Sequence, residues 1–196
     1  KLEMDAKMAG DRWSKNVIGE IEGSTYPDEI VLVGGHIDSW DVGQGAHDDA
    51  GGCVAAWEVI RLIKKLGLKP KRTIRCIMWT NEENGGRGNQ AYHDMHMDEL
   101  DKHVLAIESD GGVFAPEGFG FTGSEAAKTV AEEIHELMTI IKADKLSDGG
   151  RAADTAVLND AGIPVMSLKV DHSKYFWYHH TDADTFDKVD FHEFNK

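Results

Sequence analysis

Cysteine and proline are scarce in this sequence, with two Cys and four Pro among 196 residues. Two thiols, Cys53 and Cys76, cannot build a disulfide scaffold and are too few for a structural zinc knuckle. Each sits in an apolar stretch and is expected to be a buried thiol. No apolar run approaches the roughly 20 residues that a membrane helix needs, which excludes such a span. Positive charge is also in deficit: 21 Lys+Arg face 35 Asp+Glu, a net charge of −14. A surface this acidic repels phosphate backbones, so nucleic acid is not an expected partner. Internal repeats, low-complexity tracts and Asn-x-Ser/Thr acceptors are all missing. What remains is a soluble globular mix, 41% apolar and 29% charged, long enough for one domain with a real core. The start, Lys1-Leu2-Glu3-Met4, lacks the pattern of a secretory signal. Asp190 to Lys196 reads as the opening of a helix that has buried no face, and both ends suggest a piece of a longer chain.

The apolar pattern alternates between strand and helix. Ile30 to Gly35 is a continuous apolar run, the mark of a strand covered on both faces. Gly51 to Gly67 is helical, with Ala56, Ile60 and Ile63 on one stripe and Glu58, Arg61 and Lys65 opposite, ended by Gly67. Thr73 to Thr80 is the next strand, followed by a polar turn and a helix from about Asn89. Val104 to Ile107 is a third strand, Glu125 to Met138 a helix capped by Ser124, Asp154 to Ala161 a helix ended by Gly162, and Ile163 to Leu168 a fourth strand. This alternation predicts a three-layer α/β/α sandwich with a mostly parallel mixed sheet, present as a partial domain.

The acidic residues and histidines fall at the strand ends. His36 and Asp38 follow the first strand, and Asp48-Asp49 lies in a Gly-rich loop before the first helix. Glu82-Glu83 follows the second strand, Asp110 the third, and His179-His180 closes the segment after the fourth. In open parallel sheets, the loops beyond the carboxyl ends of the strands converge on one crevice. Carboxylates gathered there cannot all stay ionised without a countercharge. A divalent metal resolves the repulsion, and a mixed His/carboxylate set suits zinc, with Mn or Co as substitutes. The set exceeds what one tetrahedral zinc can use, so two ions are expected.

Gly35-His36-Ile37-Asp38-Ser39, Gly45-Ala46-His47-Asp48-Asp49-Ala50-Gly51-Gly52, Glu82-Glu83, Ser109-Asp110 and His180-x-x-x-Asp184-Thr185 together resemble the co-catalytic dizinc aminopeptidase and carboxypeptidase family. The resemblance runs from about Val17 to the end of the chain and implies the zinc-exopeptidase fold. It implies that His36, Asp48 and Asp110 hold one zinc, and that Glu83, His180 and the same Asp48 hold the other. A cis peptide is implied at Asp48-Asp49. Glu82 would be the general base, working with a metal-bridging water on short peptides with free termini. Asp38 would hold the second imidazole nitrogen of His36, or simply form a turn. In one branch of the family a tyrosine precedes the last zinc histidine; here His179 stands there, either as an oxyanion donor or as a packing residue. His47 stays ambiguous beside Asp48. Tyr175-Phe176-Trp177-Tyr178 is either a packed wall or a pocket wall. Arg151-Ala152-Ala153-Asp154-Thr155 departs from the family's Gly-Thr-Asp-type loop, and Arg151 is either solvated or a partner for a substrate carboxylate. Secretion or lysosomal delivery, a homodimer, and an N-terminal part and inserted protease-associated domain outside residues 1–196 are also implied. The alternatives are an inactive structural fragment and a single-zinc enzyme of the glutaminyl-cyclase type.

Overall fold

The run Ile30–Gly35 lies where a two-sided apolar strand has to lie, in the middle of a sheet. It forms most of β2 (Tyr26–His36), which pairs in parallel with β3 (Arg72–Trp79) on one side and β4 (His103–Glu108) on the other. Val33 sits opposite both Cys76 and Ile107. The computed structural model describes residues 3–5, 7 and 9–196; Lys1 and Leu2, in the start that lacks a secretory-signal pattern, lie outside them.

The remaining strands are β1 (Val17–Ile21), β5 (Pro116–Thr122), β6 (Lys145–Asp148) and β7 (Val165–Val170). The sheet order is β1-β3-β2-β4-β7-β5-β6. The central four, β3, β2, β4 and β7, are mutually parallel, whereas β1 and β5 run against their neighbours β3 and β7. The carboxyl ends of all four parallel strands therefore open on one edge. The sequence pattern finds these four and misses the outer three. β1 is almost wholly exposed, β5 is interrupted by Gly118 and Gly120, and β6 has only four residues.

Helices cover both faces. On one, α1 (Gly51–Lys65) packs Ala56 and Ile60 against Val33, Ile74, Cys76 and Ile107, and α3 (Glu125–Leu137) packs Ala127 and Ala131 against Phe121 and Met166. On the other, Tyr92 of α2 (Arg87–Met95) and Leu158 of α4 (Ala156–Asp160) join Leu32, Ile77, Trp79, Ala106 and Val165. This is the expected three-layer sandwich. Ser124 caps α3 by accepting from the Ala127 amide at 3.2 Å. Helix α4 is shorter than its pattern because the Glu108 carboxylate accepts from the amides of Asp154 (3.2 Å) and Thr155 (2.8 Å). Asp190 caps the last short helix, α5 (Phe191–Phe194). Both cysteines are buried and free. Among the described residues no helix is long and apolar enough to cross a membrane.

A buried polar network ties α2 to the sheet at the end remote from the acidic loops. The Arg75 guanidinium donates to the Tyr92 hydroxyl (2.8 Å) and to Glu99 (3.3 Å). His103 Nδ1 faces the Glu99 carbonyl at 3.0 Å and so carries the proton, leaving Nε2 to accept from the Tyr92 hydroxyl at 2.7 Å. A second proton on Nε2 would face a hydroxyl already committed to it, next to Arg75. Burial, with Arg75 adding repulsion, accordingly holds the His103 pKa below 6.5. The folded state thus binds fewer protons here than the unfolded chain, so this contribution is present above pH 6.5 and lost as pH falls below it. In thermal melts, His103→Leu should be less stable at neutral pH, by about 1–3 kcal/mol for the lost partner. Its melting temperature should also fall less between neutral pH and pH ~5 than that of the unaltered protein. Equal pH slopes would remove His103 from the linkage.

Candidate metal centre

His36 ends β2 with its side chain fully buried. The Asp49 carboxylate fixes the backbone there, accepting from the amides of His36 (3.0 Å) and Gly52 (2.9 Å), and so pins the start of α1 to the end of β2. The approach requires glycine at Gly52: a Cβ there would lie 1.9 Å from the Ser109 carbonyl oxygen. Asp48 precedes Asp49 through a cis peptide bond. Buried Asp184 holds that turn from the other end of the chain, accepting from the amides of His47 (2.7 Å) and Asp48 (3.1 Å).

Three loops complete the cluster. After β3, Asn81 takes a left-handed φ of 65°, and the chain turns through Glu82-Glu83 and Gly86 into α2. Asp38 braces this turn, its carboxylate accepting from the amides of Glu82 (3.1 Å) and Glu83 (3.3 Å). Its carbonyl, at 2.8 Å, takes the Nδ1 proton of His36, while its carboxylate stays 3.7 Å from that nitrogen. Asp38 thus orients His36 through its main chain, and its side chain serves the neighbouring loop. After β4 comes Asp110, and the segment beyond β7 brings in His179 and His180.

The sequence-predicted residues meet around Asp48. His36 Nε2 lies 3.1 Å from Asp48 Oδ1, 3.5 Å from Asp110 Oδ1 and 3.9 Å from Glu82 Oε2. On the other side of Asp48, Oδ2 is 3.4 Å from His180 Nε2 and 3.6 Å from His179 Nε2. His180 Nε2 also lies 2.8 Å from Glu83 Oε2. Ligand atoms of His36, Asp48 and Asp110 fall within 4.8 Å of one another, and so do those of Asp48, His179 and His180. Glu83 joins this second group through His180. His179 Nε2 thus stands among the potential ligand atoms as well as beside His180.

The electrostatics of this cluster are those of a cation site. Burial pushes the Glu82 carboxyl up to about 7, where Asp110, Glu83 and Asp48 repel its charge and His36 opposes them. Burial and Asp110 hold Asp49 well above the usual carboxylate range. Burial would lower the pKa of His36, but Asp110, Asp38 and Asp48 together raise it far above its ordinary value. Among the described residues, Asp48 Oδ2, Glu83 Oε1 and Asp110 Oδ1 are buried without a hydrogen-bond partner. Orphaned carboxylate oxygens are costly unless a cation meets them. Orphaned oxygens on both sides of Asp48, Asp110 Oδ1 beside His36 and Asp48 Oδ2 with Glu83 Oε1 beside His180, together with the imidazole nitrogens, make the donor set of divalent zinc.

Asp184, Glu108 and Asp154 carry no site role in the sequence pattern. Asp184 was visible only as a motif residue. Glu108 and Asp154 are fully buried behind the site; burial with repulsion from Asp110 pushes the Glu108 carboxyl up to about 7, and burial with repulsion from Glu108 pushes that of Asp154 up to about 9. His47 is a packing residue, stacked on Phe114 and Tyr178 with Nδ1 accepting from the Val113 amide at 3.2 Å. Arg151 pairs with exposed Asp160 at 2.7 Å.

Residues 16–196 match peptidase family M28. The chain belongs to that family. Mouse carboxypeptidase Q is 46% identical over 189 residues, which are 96% of this chain and 40% of the mouse protein. The chain thus spans about two fifths of the length of this relative. An M28 peptidase precursor from Shewanella amazonensis superposes with a TM-score of 0.83 at 37% identity, over 91% of this chain and 41% of the other. A zinc aminopeptidase from Bacillus subtilis shares the fold at a TM-score of 0.74 and 23% identity, over 92% of this chain and 46% of its own.

The hold of Asp184 on the Asp48 loop sets an energetic expectation for this M28 chain. Asp184→Ala leaves two buried amides without an acceptor and should cost roughly 2–4 kcal/mol in denaturant unfolding, with Asp184→Asn recovering part of it. A loss below about 0.5 kcal/mol would show that the clamp carries no load.

Proposed function

We propose that this chain is the metal-bearing part of a zinc-dependent exopeptidase or dipeptidase acting on short peptides with free termini. The observation that carries the proposal is Asp48, whose two carboxylate oxygens face two separate groups of potential ligands. His36, Asp48 and Asp110 would hold one ion, and Asp48, Glu83 and His180 the other. Bound there, zinc would polarise the scissile carbonyl and make water a competent nucleophile near neutral pH.

The remaining work falls to the chain itself. Glu82 stands at the edge of the cluster with its carboxyl shifted to about 7, matched to taking a proton from the attacking water and returning it to the leaving amine. Asp38 sets the position of Glu82 by holding its amide. His179 lies at the rim of the same cluster, where an N–H can donate to the oxyanion that develops on the substrate. The names of the carboxypeptidase Q relatives support a peptidase acting at chain ends.

The chain also reads as part of a larger protein that holds an N-terminal part and an inserted protease-associated domain. Supporting this, α1 and α3 leave several large apolar side chains exposed, among them Trp57, Leu62, Ile134 and Leu137. Secretion or lysosomal delivery and a homodimer belong to this proposal on the strength of the family resemblance.

The test is dipeptide hydrolysis with zinc content measured on the same samples. Two zinc ions per chain are expected, and Glu82→Gln should lower kcat by ~10²–10⁴-fold with both ions retained. Full turnover in that variant would overturn the mechanism. His179→Phe should lower kcat at least tenfold with zinc content unchanged, as loss of an oxyanion donor does; an unaltered kcat would leave His179 a packing role.

A further inference from the structure

Among the proposed ligands, His180 is the least supported by its own backbone. It lies in a loop beyond β7, takes a left-handed φ of 57°, and leaves its side chain 36% exposed. Non-glycine residues adopt that conformation at a cost, and only where the surroundings hold them there. A ligating imidazole is ordinarily oriented by a hydrogen bond to its other nitrogen. His36 has one, from Nδ1 to the Asp38 carbonyl. Among the described residues His180 Nδ1 has none, and its Nε2 is directed at Glu83 and Asp48.

Its ring is held by stacking. The Trp40 indole lies 4.4 Å from the His180 ring centroid at an interplanar angle of 12°. The His179 ring lies 3.7 Å away at 18°. Trp40 and His179 make no ring contact with each other among the described residues, so they cover opposite faces of His180. The sandwich fixes the plane of the imidazole and leaves its edge free to face the carboxylates. Trp40 is 40% exposed and packs in none of the three hydrophobic clusters, so filling the core does not account for it. It lies four residues beyond His36, on the loop that also carries Asp38, so one segment serves both groups of ligands.

We propose that Trp40 is a positioning residue for the second metal site, orienting His180 by stacking as the Asp38 carbonyl orients His36 by hydrogen bonding. The inference rests on the reading of His180 as a ligand. Trp40→Phe keeps a flat ring, Trp40→Leu keeps an apolar cover without one, and Trp40→Ala keeps neither.

The experiment is zinc binding measured by chelator competition, resolving the two ions, on these three variants and on His180→Ala. Trp40→Leu and Trp40→Ala should weaken one ion roughly tenfold or more and leave the other within about threefold. Trp40→Phe should restore most of that affinity, and the metal-free melting temperatures should stay together. Trp40→Leu decides the matter if Trp40→Ala does not fold. Unchanged zinc affinity in Trp40→Leu, equal weakening of both ions, or failure of Trp40→Phe to rescue would each overturn the role. Retention of both ions by His180→Ala would overturn the ligand assignment itself, and the role of Trp40 with it.

Discussion

The structure depends on a repulsion. Four parallel strands end on one edge, and their loops deliver Asp48, Glu82, Glu83 and Asp110 into a space in which several carboxylate oxygens have no hydrogen-bond partner. Like charges this close and this dry cannot coexist in water's absence without a proton or a cation among them. Much of the surrounding chain holds them there. Asp49 ties the end of β2 to the start of α1, Asp184 clamps the Asp48 loop, Asp38 braces the Glu82-Glu83 turn and Glu108 ties down the Asp154-Thr155 loop. Each of these carboxylates accepts from two backbone amides. Their work is to fix main chain, which leaves the neighbouring acids free to face inward.

This division into bracing and facing acids explains the pairs in the sequence. In Asp48-Asp49 the first side chain faces the histidines and the second holds main chain. In Glu82-Glu83 both amides are held by Asp38, so the two carboxylates share a fixed base and part in role. Glu83 touches His180, and Glu82 lies on the His36 side, 3.9 Å from its Nε2, with its carboxyl pushed up to about 7 by burial. The imidazoles are oriented by unlike means, a carbonyl for His36 and two stacked rings for His180.

The four central strands were legible in the sequence because strands covered on both faces must be continuously apolar. The strand-end positions followed from them, since a parallel sheet sends every such end to one edge. The outer strands were not legible: β1 buries little, and the glycines of β5 break any alternation. Asp184 and Glu108 could not be told from solvated acids, because what distinguishes them is a backbone amide brought close only by the fold. The carboxylate of Asp38 was expected on an imidazole and lies on two amides, a difference of loop path that no spacing rule contains. The alternative for Asp38, a turn former, described its side chain better.

The central claim is that the repulsion is balanced by two ions sharing one aspartate. Anomalous diffraction at the zinc edge from crystals of the zinc-loaded protein tests it most directly. Two peaks are predicted, one among His36, Asp48 and Asp110 and one among Asp48, Glu83 and His180. A single peak, or a second peak held by His179 with Glu83 uninvolved, would contradict it.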